Sequence, residues 1–174
     1  MRSQLQSKAY LTAPHRNRLS KSILYLIRSG KLNKSASHLD FGCGHGFEFT
    51  KLRSLGYNST GYDPHYFPLE LLLSPRTRFD IVTCLHVINV VPLISVRSQI
   101  IQTCFDLCKK YLVVAARSPH PLRGSPYGDG AITRKGNFNK QFTHGELEVF
   151  IGRSLGISAS NLRRIDQNSI LVCR

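Results

Sequence analysis

A chain of 174 residues with 24 lysines and arginines against 10 acidic residues, a formal +14, suits one domain burying roughly 70% of its unfolded surface. Its charge would draw in polyanions, and its basic residues are spread along the chain, as expected of a folded basic face. The 41% apolar content excludes a disordered chain, and no apolar run approaches the roughly 20 residues of a membrane span.

Met1–Leu5 lacks an apolar signal core, so the expected location is cytoplasmic, with no membrane partner. The five cysteines, Cys43, Cys84, Cys104, Cys108 and Cys173, are an odd number scattered through apolar segments. That pattern predicts buried thiols in a reducing compartment. Cys104 and Cys108 lie four apart on an expected helix with no second pair at zinc-like spacing, so no metal is expected.

In chain order, Leu19, Ile23, Leu26 and Ile27 recur at helical spacing and Gly30 suits a C-terminal cap. This gives a helical extension over 1–34 ahead of a core over 35–174, within a single domain. A strand at His38–Phe41 runs into Gly42, Gly44 and Gly46, and a short helix carrying Phe49, Leu52 and Leu55 ends at Gly56. A second strand spans 58–62 and delivers Asp63-Pro64. The continuous apolar run Phe79–Leu85 is a buried strand, and Val96, Ile100, Cys104 and Leu107 form a helical face before a strand at 111–116.

A Pro- and Gly-rich loop is expected over 117–141, and Thr143 with Glu146 makes a capping box for a helix carrying Leu147, Phe150, Ile151 and Leu155. Strands at 162–165 and Ser169–Cys173 then form a hairpin around Asp166-Gln167-Asn168. This alternation predicts an α/β fold with an open, mostly parallel sheet and a C-terminal antiparallel hairpin strand.

The glycine stretch carries the chemistry. Glycines after a strand let backbone amides approach a ligand at a helix N-terminus, and an acid after the second strand is placed to bind ribose hydroxyls. A dinucleotide fingerprint has its third glycine three residues after the second; here the spacing is Gly42-x-Gly44-x-Gly46, with Asp40 two before the first. An acid at that point suits a ligand bearing an ammonium group, and S-adenosylmethionine has an ammonium, a sulfonium and no phosphate. These residues resemble motif I of class I S-adenosylmethionine-dependent methyltransferases. Phe79-Asp80 and Leu85-His86-Val87-Ile88-Asn89-Val90-Val91 are also similar to that family.

The resemblance implies a Rossmann-like class I fold with S-adenosylmethionine as cofactor. Its contacts would be Asp40, Gly42, Cys43, Gly44, Gly46, Asp63, Pro64 and His86. Asp40 would face the ammonium directly or through water, or else cap the following helix. Cys43 reads as a packing residue whose thiol, beside a helix N-terminus, could be somewhat acidified. His86 and Asn89 are the catalytic candidates, with His86 a base near neutral pH or a residue with structural bonds only. His45 and His65 read as exposed loop residues.

A narrower resemblance covers residues 13–20, 61–64, 87–91 and 129–142, which are similar to methyltransferases associated with DNA phosphorothioation systems. One departure from the general fold is that only 15 residues separate Pro64 from Asp80. The third edge strand is therefore expected to be missing or vestigial, leaving the adenine side open. Over 117–142, Arg117, Arg123, Arg134, Lys135 and Lys140 alternate with Tyr127, Phe138 and Phe142. Cations with stackable rings suit a flipped base or a single strand, although the rings could equally fill the core.

His15, Arg16 and Arg18 could line the same entrance or simply start a solvated helix. No Asn/Asp-Pro-Pro-Tyr/Phe run and no Pro-Cys pair is present, so transfer would rest on proximity and orientation. The expectation is a methyltransferase acting on DNA or RNA. The alternatives are a small-molecule methyltransferase, or a nucleic-acid-binding module with a degenerate cofactor pocket.

Overall fold

A computed structural model describes residues 9–68, 77–119 and 124–174 of the chain. Its centre is a six-stranded sheet of order β2-β1-β3-β4-β9-β8, formed by β1 (His38–Phe41), β2 (Ser59–Tyr62), β3 (Phe79–Leu85), β4 (Cys108–Ala115), β8 (Leu162–Arg164) and β9 (Ser169–Cys173). The first four run parallel, while β9 pairs antiparallel with both β4 and β8. This is the expected mostly parallel sheet closed by an antiparallel hairpin. Because β1 lies between β2 and β3, connections leave it toward opposite sides, and a crevice opens at the carboxyl ends of β1 and β3.

Strand alternation decides which helix covers which face. On β4, Val113 and Ala115 point to α1 (Lys21–Arg28) and α2 (Phe47–Ser54), packing with Ile23, Leu26 and Leu52. Leu112 and Val114 point the other way, to α3 (Ile94–Asp106) and α4 (His144–Leu155), meeting Ile101, Leu147 and Ile151. Ile23 and Leu26 are fully buried, which contributes roughly 1.5–3 kcal/mol each. Helix α1 is thus built into the core, its start fixed by the Ser20 hydroxyl, which accepts from the Ile23 amide at 3.3 Å. The expected capping box on α4 is present, with Thr143 and Glu146 each accepting from the other's backbone amide.

Two polar devices set the strand register. His38, 1% exposed, bridges β1 to both neighbours, 2.7 Å from Ser59 Oγ and 3.0 Å from Thr83 Oγ1. Burial pushes its pKa down to about 3, so the ring is neutral. At the entrance of β3, Asp80 accepts from the Ser37 amide (2.9 Å) and hydroxyl (2.8 Å) and pairs with Lys110 at 3.1 Å.

The structure departs from expectation over 117–141. In place of a loop there is a three-stranded antiparallel sheet of β5 (Gly124–Tyr127), β6 (Gly130–Thr133) and β7 (Phe138–Asn139). Gly128 and Gly136, with φ of 57° and 76°, supply left-handed turn residues between these strands, so the glycines that suggested a loop are its hairpin turns. Cys108 begins β4 instead of ending the preceding helix. The expected missing or vestigial third strand falls on 69–76, and Arg123 on 120–123, outside the described residues. No helix among the described residues is long and apolar enough to cross a membrane.

Candidate cofactor and acceptor cleft

The carboxyl edge of the parallel strands opens into a cleft of about 1300 Å³. The glycine loop forms its floor. Gly42, Gly44 and Gly46 have φ of 75°, 54° and 79°, a conformation other residues adopt only with strain. The amides of Gly42 and Cys43 both donate to the Tyr62 carbonyl, at 2.7 and 2.9 Å, tying the loop to the end of β2. Asp63 then locks the turn: Oδ2 accepts from the Gly44 amide at 3.1 Å, and Oδ1 from the His65 and Tyr66 amides at 2.9 and 3.1 Å. Oδ1 is thereby filled by two donors, while Oδ2 keeps a further lone pair that a ribose hydroxyl could use.

Asp40 lies behind the loop, 3% exposed and outside the cleft lining. It caps no helix, since the N-cap of α2 is Gly46; instead it accepts from Thr83 Oγ1 at 3.2 Å. Desolvation, then repulsion by Glu48, pushes its pKa up to about 7. Cys43 lines the cleft, but desolvation and the carboxylates of Asp40 and Asp63 push its thiol up, contrary to the acidification expected beside a helix N-terminus.

The second wall follows β3. His86 takes a left-handed conformation at φ 64°, with its amide donating to the Ala115 carbonyl at 2.8 Å, and the chain turns into a 3-10 helix at Ile88–Val90 that carries Asn89. Burial, then the positive charges of Arg16 and Arg117, depresses the His86 pKa to about 4. The ring is therefore neutral at physiological pH and a weaker base than its sequence position suggested.

A strap from the N-terminal side covers the loop. Residues 9–16 line the cleft, with Tyr10 stacked on His65 (centroids 3.8 Å apart) and His15 stacked on His45 (4.1 Å). His45 and His65 are exposed, as expected, yet each meets a ring of the strap.

Of the remaining sequence candidates, His15, Arg16, Pro64, Arg117, Arg134 and Phe138 join Gly42, Gly44, Asp63, His86 and Asn89 around the cleft. Arg18 is exposed away from it, Gly46 sits beneath it, and Lys140 pairs with Glu146 at 3.3 Å. Phe138 is 1% exposed and has Arg97 over its ring at 5.2 Å. Sequence reasoning missed Asn137 and Asn139, two lining residues on β7 and its approach.

A family model described as a methyltransferase domain matches residues 10–120, nearly two thirds of the chain. The chain belongs to that family. No curated protein matches it by sequence. Among solved structures, this methyltransferase is similar to a SAM-dependent methyltransferase from Methanosarcina mazei (20% identity, TM-score 0.60, 84% of this chain and 94% of that one). It is similar also to magnesium protoporphyrin IX methyltransferase from Synechocystis PCC 6803 with bound SAH (14% identity, TM-score 0.59, 98% and 95%). A third is 1,6-didemethyltoxoflavin-N1-methyltransferase from Burkholderia thailandensis, with bound 1,6-didemethyltoxoflavin and S-adenosylhomocysteine (15% identity, TM-score 0.57, 88% and 74%).

The residues fit S-adenosylmethionine. A Cβ on Gly44, at φ 54°, would come within 3.0 Å of the Ala13 side chain, so glycine there lets the strap pack closely on the loop. Behind it, Asp40 has no cation bonded to it among the described residues and, lying outside the lining, would reach an ammonium only across the loop, while Asp63 Oδ2 would be free to take a ribose hydroxyl.

Proposed function

We propose that this methyltransferase acts on nucleic acid, with S-adenosylmethionine held by the glycine loop, Asp40 and Asp63. The observation that carries this reading is the rim of the cleft. Arg16, Arg117, Arg134 and Lys135 converge on the same opening as the glycine loop, in a chain of formal charge +14. Arg117, Arg134 and Lys135 make no ion pair among the described residues, so their charge is available to phosphates. The likeness of 13–20, 61–64, 87–91 and 129–142 to methyltransferases associated with DNA phosphorothioation favours DNA among the polyanions.

When bound, the cofactor supplies a methyl group on a positively charged sulfur, open to direct attack by an acceptor lone pair. The chain's part is positioning. Asp63, which holds Gly44, would also hold the ribose end, Asp40 would answer the ammonium from behind the loop, and neutral His86 in the cleft lining would offer a ring nitrogen as hydrogen-bond acceptor. A second reading, methylation of a small apolar molecule, draws on Val87, Val90, Val91, Val96 and Ile100, which also line the cleft. Transfer of labelled methyl to DNA, RNA and small-molecule extracts, with Asp63→Ala as control, separates the two. Label in nucleic acid that disappears with the variant supports the proposal; label in small molecules alone overturns it.

A further inference from the structure

Three side-chain amides in the cleft leave their oxygens unpaired. Asn89, Asn137 and Asn139 are 4%, 7% and 8% exposed, all line the cleft, and the Oδ1 of each is buried without a hydrogen-bond donor. A buried amide oxygen left unpaired costs about 1–3 kcal/mol, so three in one place are a costly arrangement unless a ligand completes them. They come from two separate elements: Asn137 and Asn139 flank Phe138 on the approach to and end of β7, and Asn89 sits on the 3-10 turn after β3. The Lys140 amide donates to the Asn89 carbonyl at 2.7 Å and fixes those elements together. Behind them, Arg97 anchors the small sheet, donating to Asp129 at 2.6 and 2.8 Å and to the Val91 carbonyl at 2.6 Å.

An unpaired acceptor demands a donor. Three on one wall call for a ligand with several N–H groups on one edge. The exposed cations Arg134 and Lys135, on the turn just before Asn137, lie where a phosphate attached to such a ligand would reach. Resting on the methyltransferase reading above, we propose that Asn89, Asn137 and Asn139 form the acceptor subsite, taking an unpaired nucleobase whose amino group donates to the amide oxygens. Cytosine, adenine and guanine carry such an amino group, guanine with a ring N–H beside it, whereas thymine offers a single ring N–H. A base inside a duplex presents its amino group to its partner, so the subsite takes single-stranded or flipped nucleotides.

The test compares the full chain with the double variant Asn137→Leu/Asn139→Leu. Binding of short single-stranded oligo(dC), oligo(dA) and oligo(dT) is measured by fluorescence anisotropy, S-adenosylmethionine binding by calorimetry and Tm by scanning calorimetry. The wild type is expected to hold oligo(dC) or oligo(dA) about tenfold more tightly than oligo(dT), and the variant to lose that preference. Cofactor affinity should stay unchanged and Tm stay equal or rise, because apolar side chains replace unpaired buried amides. A variant that keeps the preference, a wild type without one, or a marked fall in Tm overturns the subsite. Cofactor binding without any oligonucleotide binding also overturns it and leaves the methyltransferase reading intact. Amide-dependent base preference without cofactor binding would instead sink that reading and leave the subsite standing.

Discussion

Asp40 is the residue whose chemistry is most exposed to measurement. Its pKa is raised in the folded chain to about 7, so between about pH 4 and 7 the native state binds a proton that the unfolded chain does not. Stability from this group is therefore greatest at low pH and falls as pH rises through 7, by up to about 4 kcal/mol. Asp40→Asn should raise Tm at pH 8 and remove this group's share of the pH dependence, as thermal scans from pH 5 to 8 would show. An ammonium beside Asp40 favours its ionised form, so cofactor affinity should drop by up to about tenfold per unit below pH 7 and become flatter in the Asn variant. Calorimetric titrations at pH 6 and 8 measure this. Gly46 offers a second check at this scale. A Cβ there would fall 2.6 Å from Phe49 and 2.8 Å from Phe67, at φ 79°, so Gly46→Ala should cost about 1–3 kcal/mol in chemical denaturation.

At the scale of elements, the three-stranded sheet over 124–139 hangs on one buried cation. Arg97, 1% exposed, donates to Asp129 and to the carbonyls of Val91 and Pro92, and lies over the rings of Phe138 and Phe142. Arg97→Met leaves Asp129 without its partner and two carbonyls without a donor. The expected cost is about 3–5 kcal/mol, together with faster proteolysis within 124–139 than elsewhere in the chain.

This element also marks where the sequence stops being readable. The turn conformation of the glycine loop and the capping box were legible because each depends on backbone chemistry within a few residues. Arg97 was not, because an arginine among helical positions reads as solvated until β5 to β7 close over it. Asn137 and Asn139 were not either. Their meaning appears only once β7 docks against the turn carrying Asn89, a contact set by tertiary packing. His86 could be placed after β3 from the sequence, but its depressed pKa comes first from burial and then from the charges of Arg16 and Arg117, all set by tertiary packing.

Over the whole molecule, net charge and cleft placement act together. On the proposed reading, the formal +14 would raise the local concentration of a polyanion and the cations on the rim would set where it docks. DNA affinity should therefore fall steeply as salt rises from 50 to 200 mM on the order of magnitude set by several phosphate contacts. Arg134→Ala should reduce the slope of log affinity against log salt by about one unit; an unchanged slope would place the phosphates elsewhere.

The strap over residues 9–16 adds a matter of timing. It closes part of the cleft wall through the stacks of Tyr10 on His65 and His15 on His45, a hydrogen bond from the Tyr66 hydroxyl to the Tyr10 carbonyl at 3.4 Å and the Arg16–Glu48 pair at 4.0 Å, with no strand pairing among the described residues. A spent cofactor leaving on that side would pass those rings, which would tie its dwell time to the closing of the strap. Loosening the strap with Tyr10→Ala should shorten that dwell time in stopped-flow measurements. Where release limits turnover, the same change would give an enzyme that binds its cofactor less tightly yet cycles faster.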